Sequence, residues 1–158
     1  MSMKTLESIR NLLDNAGINY REVTHAPTRT SEESAAARGE DLHVGAKALI
    51  LRLDGEFQIF VLPADRKLDS SAIRRHLGVR KTRFASVEEL NELVGLVPGA
   101  VPPFGEPILP LNLYADESVG VETDKVAFNA GMLTHSIIMS ASDWSDIARP
   151  QRLQVTKD

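Results

Sequence analysis

The chain has 158 residues, 42% hydrophobic and 25% charged, a balance that suits one globular domain with a full core of its own. It contains no cysteine, which excludes disulfides, thiolate metal sites and a cysteine nucleophile. A formal net charge of −4 argues against nonspecific coating of nucleic acid. No run of about 18 apolar residues is present to span a membrane, and the first residues lack a secretory apolar core, so a cytoplasmic location is the expectation.

In chain order, Leu6, Ile9, Leu12, Leu13 and Ala16 recur at helical spacing, and Gly17 stands where a left-handed cap belongs. A strand is predicted over 18–23. Thr30-Ser31-Glu32-Glu33 reads as a capping box that opens a short alanine-rich helix ending near Gly39. Two apolar runs, 46–53 and 56–62, flank Asp54-Gly55, a dipeptide favoured in type I′ hairpin turns. A helix follows over 70–77, with Asp69 as its cap and Gly78 as its stop. After a short strand at 83–85, Ser86-Val87-Glu88-Glu89 forms a second capping box for a helix that stops at Gly95.

Residues 95–105, GLVPGAVPPFG, are too rich in glycine and proline for a helix or a central strand. Strands are predicted again at 108–114, 119–121, 126–129 and 134–140, then a helix at 143–148. The residues after Pro150 read as a loose tail. The expected organisation is therefore one domain over 1–150 and a tail over 151–158. Hairpins mixed with helices, without regular alternation, indicate an α+β fold around a mixed or antiparallel sheet.

The chemistry has few obvious carriers. His25, His43, His76 and His135 form no metal-ligand pair at helical spacing, and no HExxH, GxSxG, Walker or GxGxxG motif occurs, so neither metal nor cofactor is expected. Three stretches stand out. Lys47 sits in the apolar run VGAKALILRL (44–53), where an ammonium either lays its stem along an edge or serves a site. The segment GAVPP (99–103) punctuates the loop. FNAGMLTHSIIMS (128–140) crowds Asn129, Gly131, Thr134, His135 and Ser136 between apolar runs. A fourth feature is a basic stretch from Arg66 to Arg83 that includes Arg74, Arg75, Arg80 and Lys81; it is a solvated face or a docking place for a polyanion.

In order, TSEESAA (30–36), KALIL (47–51), VLPADRKLD (61–69), LG (77–78), FAS-EEL (84–90), G-VPG-VPPFG (95–105) and FNAGM-THSIIMS (128–140) resemble the YbaK/ProX aminoacyl-tRNA deacylase family. The same domain is found inserted in bacterial prolyl-tRNA synthetases. The resemblance runs from about His25 to Asp143. It implies a mixed, partly barrel-like sheet with surrounding helices, and hydrolysis of the ester joining a wrong, small amino acid (alanine, cysteine, serine or threonine) to its tRNA. The family's functional lysine matches Lys47, and its GxxxP loop matches the segment from Gly99 to Pro103. Thr30, Asn129, Gly131, His135 and Ser136 are the implied substrate-binding positions. Arg74, Arg75, Arg80 and Lys81 are the candidate tRNA contacts, with the region from His25 to Arg29 as the alternative docking surface.

On this reading the partners are a mischarged tRNA and, beside it, an aminoacyl-tRNA synthetase, with the absence of any synthetase body implying action in trans and no membrane involved. Lys47 would hold the ester or a nearby phosphate, while the water is activated by a ribose hydroxyl or by His135. Two other readings remain open at this point: a nonenzymatic module that binds a nucleotide or RNA end, and a hydrolase of another small ester.

Overall fold

A computed structural model describes residues 3–157. Helix α1 (Lys4–Asn15) puts Leu6, Ile9 and Leu13 on its buried face, as the sequence spacing requires. It leads through Gly17 to strand β1 (Tyr20–Thr24). Helix α2 (Ser31–Arg38) begins at the Thr30 capping box and stops at Gly39, whose φ is +71°. A 3₁₀ turn (Leu42–Val44) then delivers the chain to the hairpin β2 (Ala46–Leu53) and β3 (Glu56–Pro63). Asp54 and Gly55 have φ of +48° and +96°, the signs that a type I′ turn demands at both positions.

A two-residue strand β4 (Lys67–Leu68) precedes helix α3 (Ser70–Leu77), which Asp69 caps by accepting from Ala72 N–H. Strand β5 (Thr82–Phe84) and helix α4 (Val87–Val94) follow, the latter with the Ser86 capping box. Beyond the proline-rich loop come β6 (Leu113–Ala115), β7 (Lys125–Met132), β8 (His135–Ser140), helix α5 (Ala141–Ala148), β9 (Gln151–Arg152) and β10 (Thr156–Lys157).

The strands build three sheets, in the orders β1-β8-β7, β5-β2-β3-β6-β9 and β4-β10. The first is antiparallel; the second mixes antiparallel pairs with the parallel pairs β3-β6 and β6-β9. The fold is α+β around mixed sheets, as the sequence indicates, and the sheets are open ones, with no closed barrel among the described residues. Among the described residues one parallel bridge, Gly45 with Ala127, joins the two larger sheets. Gly45 lies so close to β3's end that a Cβ there would stand 2.9 Å from the Ala64 Cβ.

Strand β2 is buried on both faces, which explains its unbroken apolar run. Ala46, Ala48 and Ile50 join the main core with Ile59, Val61, Phe128 and Trp144. Leu51 and Leu53 turn to a second core with Phe60, Ile73, Tyr114 and Val155, where the rings of Phe60 and Tyr114 stack at 5.2 Å.

The C-terminal third departs from the sequence reading. The strand expected at 108–114 shrinks to Leu113–Ala115, because Pro107 and Pro110 lack N–H groups and Ile108 and Leu109 both donate to Gly105 O in a turn. The stretch 119–121 is a turn as well, with Val119 N–H donating to Asp116 O. The residues after Pro150 are no loose tail: β9 pairs with β6, β10 pairs with β4, and Val155 is fully buried between them. Asp116, 2% exposed, clasps this end by accepting from the N–H groups of Val155 (2.8 Å) and Thr156 (3.1 Å).

Candidate active site

The seam between the two larger sheets opens into a pocket of about 140 Å³, roofed by α2 and floored by the start of β2. Thr30 fixes the N-terminus of α2: its hydroxyl accepts from Glu33 N–H at 3.1 Å, and the Glu33 carboxylate accepts in return from Thr30 and Arg29 N–H. That cap aims the buried face of the helix, Ser34, Ala35 and Arg38, at the cavity. Lys47 lines the pocket half-buried, and its ammonium has no hydrogen-bond or ion-pair partner among the described residues.

Gly99 adopts φ of +87°, a backbone conformation that a side chain would strain. Its carbonyl accepts from Asn129 Nδ2 at 2.9 Å, which ties the loop to β7. The N–H groups of Gly99 and Val101 have no protein acceptor among the described residues, and both residues line the cavity.

Behind Asn129 stands Arg38, only 8% exposed. Its Nε donates to Ser136 Oγ at 2.9 Å and its Nη2 to Asn129 Oδ1 at 3.1 Å. Among the described residues no carboxylate pairs with it. Burial pulls its pKa down to about 10, weakly opposed by Glu40, so the guanidinium stays charged at neutral pH. Ser136 Oγ also lies 2.8 Å from His25 Nε2, which extends the network toward the start of the resemblance.

The structure thus gathers Thr30, Lys47, Gly99 and Asn129 around one cavity, with Ser136 one hydrogen bond behind the wall. Pro103, Gly131 and His135 do not line it. Pro103 offers its carbonyl to Trp144 Nε1 at 2.9 Å. Gly131 leaves room for α1, since a Cβ there would come within 2.8 Å of Thr5. His135 Nδ1 contacts Thr134 Oγ1, and its backbone pairs with Thr24 and Met132. Arg38 escaped the sequence reading. An arginine in the last turn of an alanine-rich helix looks like a solvated dipole partner, and only its i, i+4 spacing from Ser34 hints otherwise.

The basic residues form a separate groove. Arg74, Arg80 and Lys81 line it with Arg52 and Arg83, and the Asp54 carboxylate shapes it by accepting from Arg80 and Lys81 N–H. Arg75 lies outside the groove and acts electrostatically on Asp69. Among the described residues no group of three or more His, Asp or Glu is placed to hold a metal ion, and no helix is long and apolar enough to cross a membrane.

Comparison with known proteins matches these features to one family. The profile of the aminoacyl-tRNA editing domain covers residues 25–147. The multifunctional Ser/Thr-tRNA deacylase ProXp-y of Escherichia coli K12 is 38% identical over 145 residues, covering 89% of this chain and 86% of that protein. The prolyl-tRNA editing protein ProX of Acetoanaerobium sticklandii is 30% identical over 140 residues, covering 87% and 79%. A crystal structure of a candidate trans-editing enzyme for prolyl tRNA synthetase superposes with a TM-score of 0.83 at 24% identity, covering 98% of both chains, and shares the fold. The chain belongs to the aminoacyl-tRNA editing domain family.

Proposed function

We propose that this protein is a trans-editing deacylase that hydrolyses the ester between a small hydroxylated amino acid, serine or threonine, and a tRNA. The observation that carries the reading is Lys47, a half-buried ammonium with no partner among the described residues, in a cavity lined also by Gly99 and Val101, whose N–H groups are unpaired among those residues. The name of the E. coli relative and the hydroxyl groups of Thr28 and Ser34 in the wall support the choice of amino acid.

An aminoacyl ester needs no strong nucleophile. Water adds to the carbonyl carbon, the oxyanion collapses, and the C–O bond to the ribose breaks as that oxygen takes up a proton. Lys47 supplies a positive point charge with three donors to the ester oxygen. The N–H groups of Gly99 and Val101 supply fixed dipoles where negative charge develops, an arrangement worth a few kcal/mol in such sites. Pro103 stiffens the far end of the loop, and Ser136 holds Arg38 and Asn129 in register. The lining contains neither histidine nor carboxylate, and His135 stands outside it, so the neighbouring ribose hydroxyl is the group available to orient the water.

The basic groove at Arg74, Arg80 and Lys81 is the proposed tRNA contact, and a synthetase that hands over mischarged tRNA is the proposed further partner. A panel of seryl-, threonyl-, alanyl- and cysteinyl-tRNAs tests the reading. Fast release of serine and threonine is expected. Tight binding without turnover of any ester would overturn it in favour of a binding module.

A further inference from the structure

The inner end of the pocket is polar in a particular way. Ser34 and Arg38 lie one turn apart on α2 and share its inward face. Thr28 Oγ1 and Ser34 Oγ are 2.7 Å apart and both residues are buried, at 6% and 7% exposure. One hydroxyl of that pair donates to the other, which leaves an O–H and lone pairs with no partner among the described residues, on two side chains that line the cavity.

Arg38 is incompletely used by the protein. Nε and Nη2 hold Ser136 and Asn129, while Nη1 has no acceptor among the described residues. Nη1 lies beside Gly45 in the pocket wall, 3.7 Å from where a Cβ on that residue would be. A buried guanidinium with an open donor is costly unless something else fills it. The complement of an open N–H and an open hydroxyl pair in the wall of one pocket is a group that accepts and donates at once.

We propose that Arg38, together with the Thr28–Ser34 pair, reads the side-chain hydroxyl of the amino acid: Nη1–H donates to the hydroxyl oxygen, and that hydroxyl donates to Thr28 or Ser34. The inference rests on the deacylase reading and assigns residues to its selectivity. Charge fixes the orientation of the substrate. The lining carries Arg29, Arg38 and Lys47 and no carboxylate, so the α-ammonium of the amino acid stays at the mouth and the side chain is the part that reaches α2. Alanine then leaves Nη1 unpaired, and a site built to hydrogen-bond a hydroxyl rejects the analogue lacking it far more strongly than an apolar pocket rejects an extra methylene.

The test compares kcat/KM for seryl and alanyl esters on the same tRNA in the parent, Arg38→Gln and Ser34→Ala. A parental preference for serine of roughly 10²-fold or more is expected. Arg38→Gln should lower the seryl rate much further than the alanyl rate and shrink the ratio about tenfold or more; Ser34→Ala should shrink it about threefold to tenfold. An unchanged ratio in both variants overturns the proposal. So does an equal loss on both esters at an unchanged melting temperature, which would place Arg38 at the shared ester group. Binding of 3′-seryl- and 3′-alanylamido-3′-deoxyadenosine, which cannot be hydrolysed as esters, keeps the two readings apart. A parent that turns over neither ester but prefers the seryl amide, and loses that preference in Ser34→Ala, removes the deacylase reading and keeps the specificity reading. No preference between the amides removes the specificity reading itself.

Discussion

Asp116 and Arg38 are both charged and both almost inaccessible to solvent, at 2% and 8% exposure, yet their surroundings treat them oppositely. Asp116 is surrounded by donors from its own chain: the N–H and hydroxyl of Ser118 and the N–H groups of Val155 and Thr156. Burial works against its charge, but those hydrogen bonds outweigh it and hold the carboxyl below its ordinary value of 3.8. Among the described residues Arg38 keeps a donor open and has no carboxylate partner, and burial pulls its pKa down. A buried charge whose hydrogen bonds are all met by the chain is a structural clasp, whereas one with capacity left over marks where a ligand belongs. Lys47 is of the second kind.

The sharpest break of this contrast is Lys47→Ala. Its kcat/KM should fall about 10²- to 10³-fold, with the melting temperature kept, because the ammonium holds no other group of the protein. Lys47→Arg should not rescue, since a planar fork replaces a point charge. Near-parental turnover by Lys47→Ala would end the assignment.

Asp116→Ala should do the reverse. Leaving the donors of Val155 and Thr156 unpaired costs about 2–4 kcal/mol, read by urea unfolding, while the folded fraction keeps its deacylation rate. The pH dependence has a definite sign. A depressed folded pKa makes the contribution of Asp116 complete above about pH 4 and removes it as pH falls through the lower folded value. Asp116→Asn should therefore flatten the acid limb of the stability profile. Parental acid sensitivity in that variant would remove the clasp.

Gly99 carries the same contrast on a single residue, its carbonyl taken by Asn129 and its N–H open. Gly99→Ala places a Cβ 3.3 Å from Leu133 at φ of +87°, a strain of about 1–2 kcal/mol. Turnover of the folded enzyme should drop about tenfold. If activity instead tracks the folded fraction in thermal titrations, the loop has only a structural role.

The smallest effect is expected at the charges of the basic groove. Arg74→Ala/Arg80→Ala should raise KM for intact tRNA a few-fold, leave kcat alone, and reduce the salt slope by about one for each phosphate no longer neutralised. Arg75→Ala, outside the groove, should change neither. A short aminoacylated acceptor-end mimic should be hydrolysed equally by all of these. A double variant with the parental salt slope would leave the groove a solvated surface.

Much of the frame was legible because local chemistry decided it. Asp54-Gly55 fixed the hairpin, and Thr30, Asp69 and Ser86 set the starts of three helices at the residues observed. Where tertiary contacts decided, the sequence misled. Residues 151–157 are polar enough to read as a tail, and what orders them is distant in sequence: the pairing of β9 with β6 and of β10 with β4, Val155 in the second core, and the Asp116 carboxylate. The site divides in the same manner. Lys47, Gly99 and Asn129 followed from ordered motifs and meet at one pocket. Arg38 did not, since apart from its spacing from Ser34 nothing local distinguishes a guanidinium buried by β7 and β8 from one in water. Pro103, Gly131 and His135 belong to the same motifs, and their contacts here are with the scaffold.

The bridge at Gly45 bears on how such a protein diversifies. With the Ala64 Cβ and the Leu42 carbonyl closing on the vacant Cβ position, the joint between the sheets admits no larger residue without shifting its neighbours. The width of the cavity is thereby inherited with the frame. A duplicated copy drifting toward another amino acid finds its accessible mutations on the inward face of α2, where exchanging one or two side chains changes the chemistry that is read. New selectivity can evolve there in single steps while the architecture stays constant.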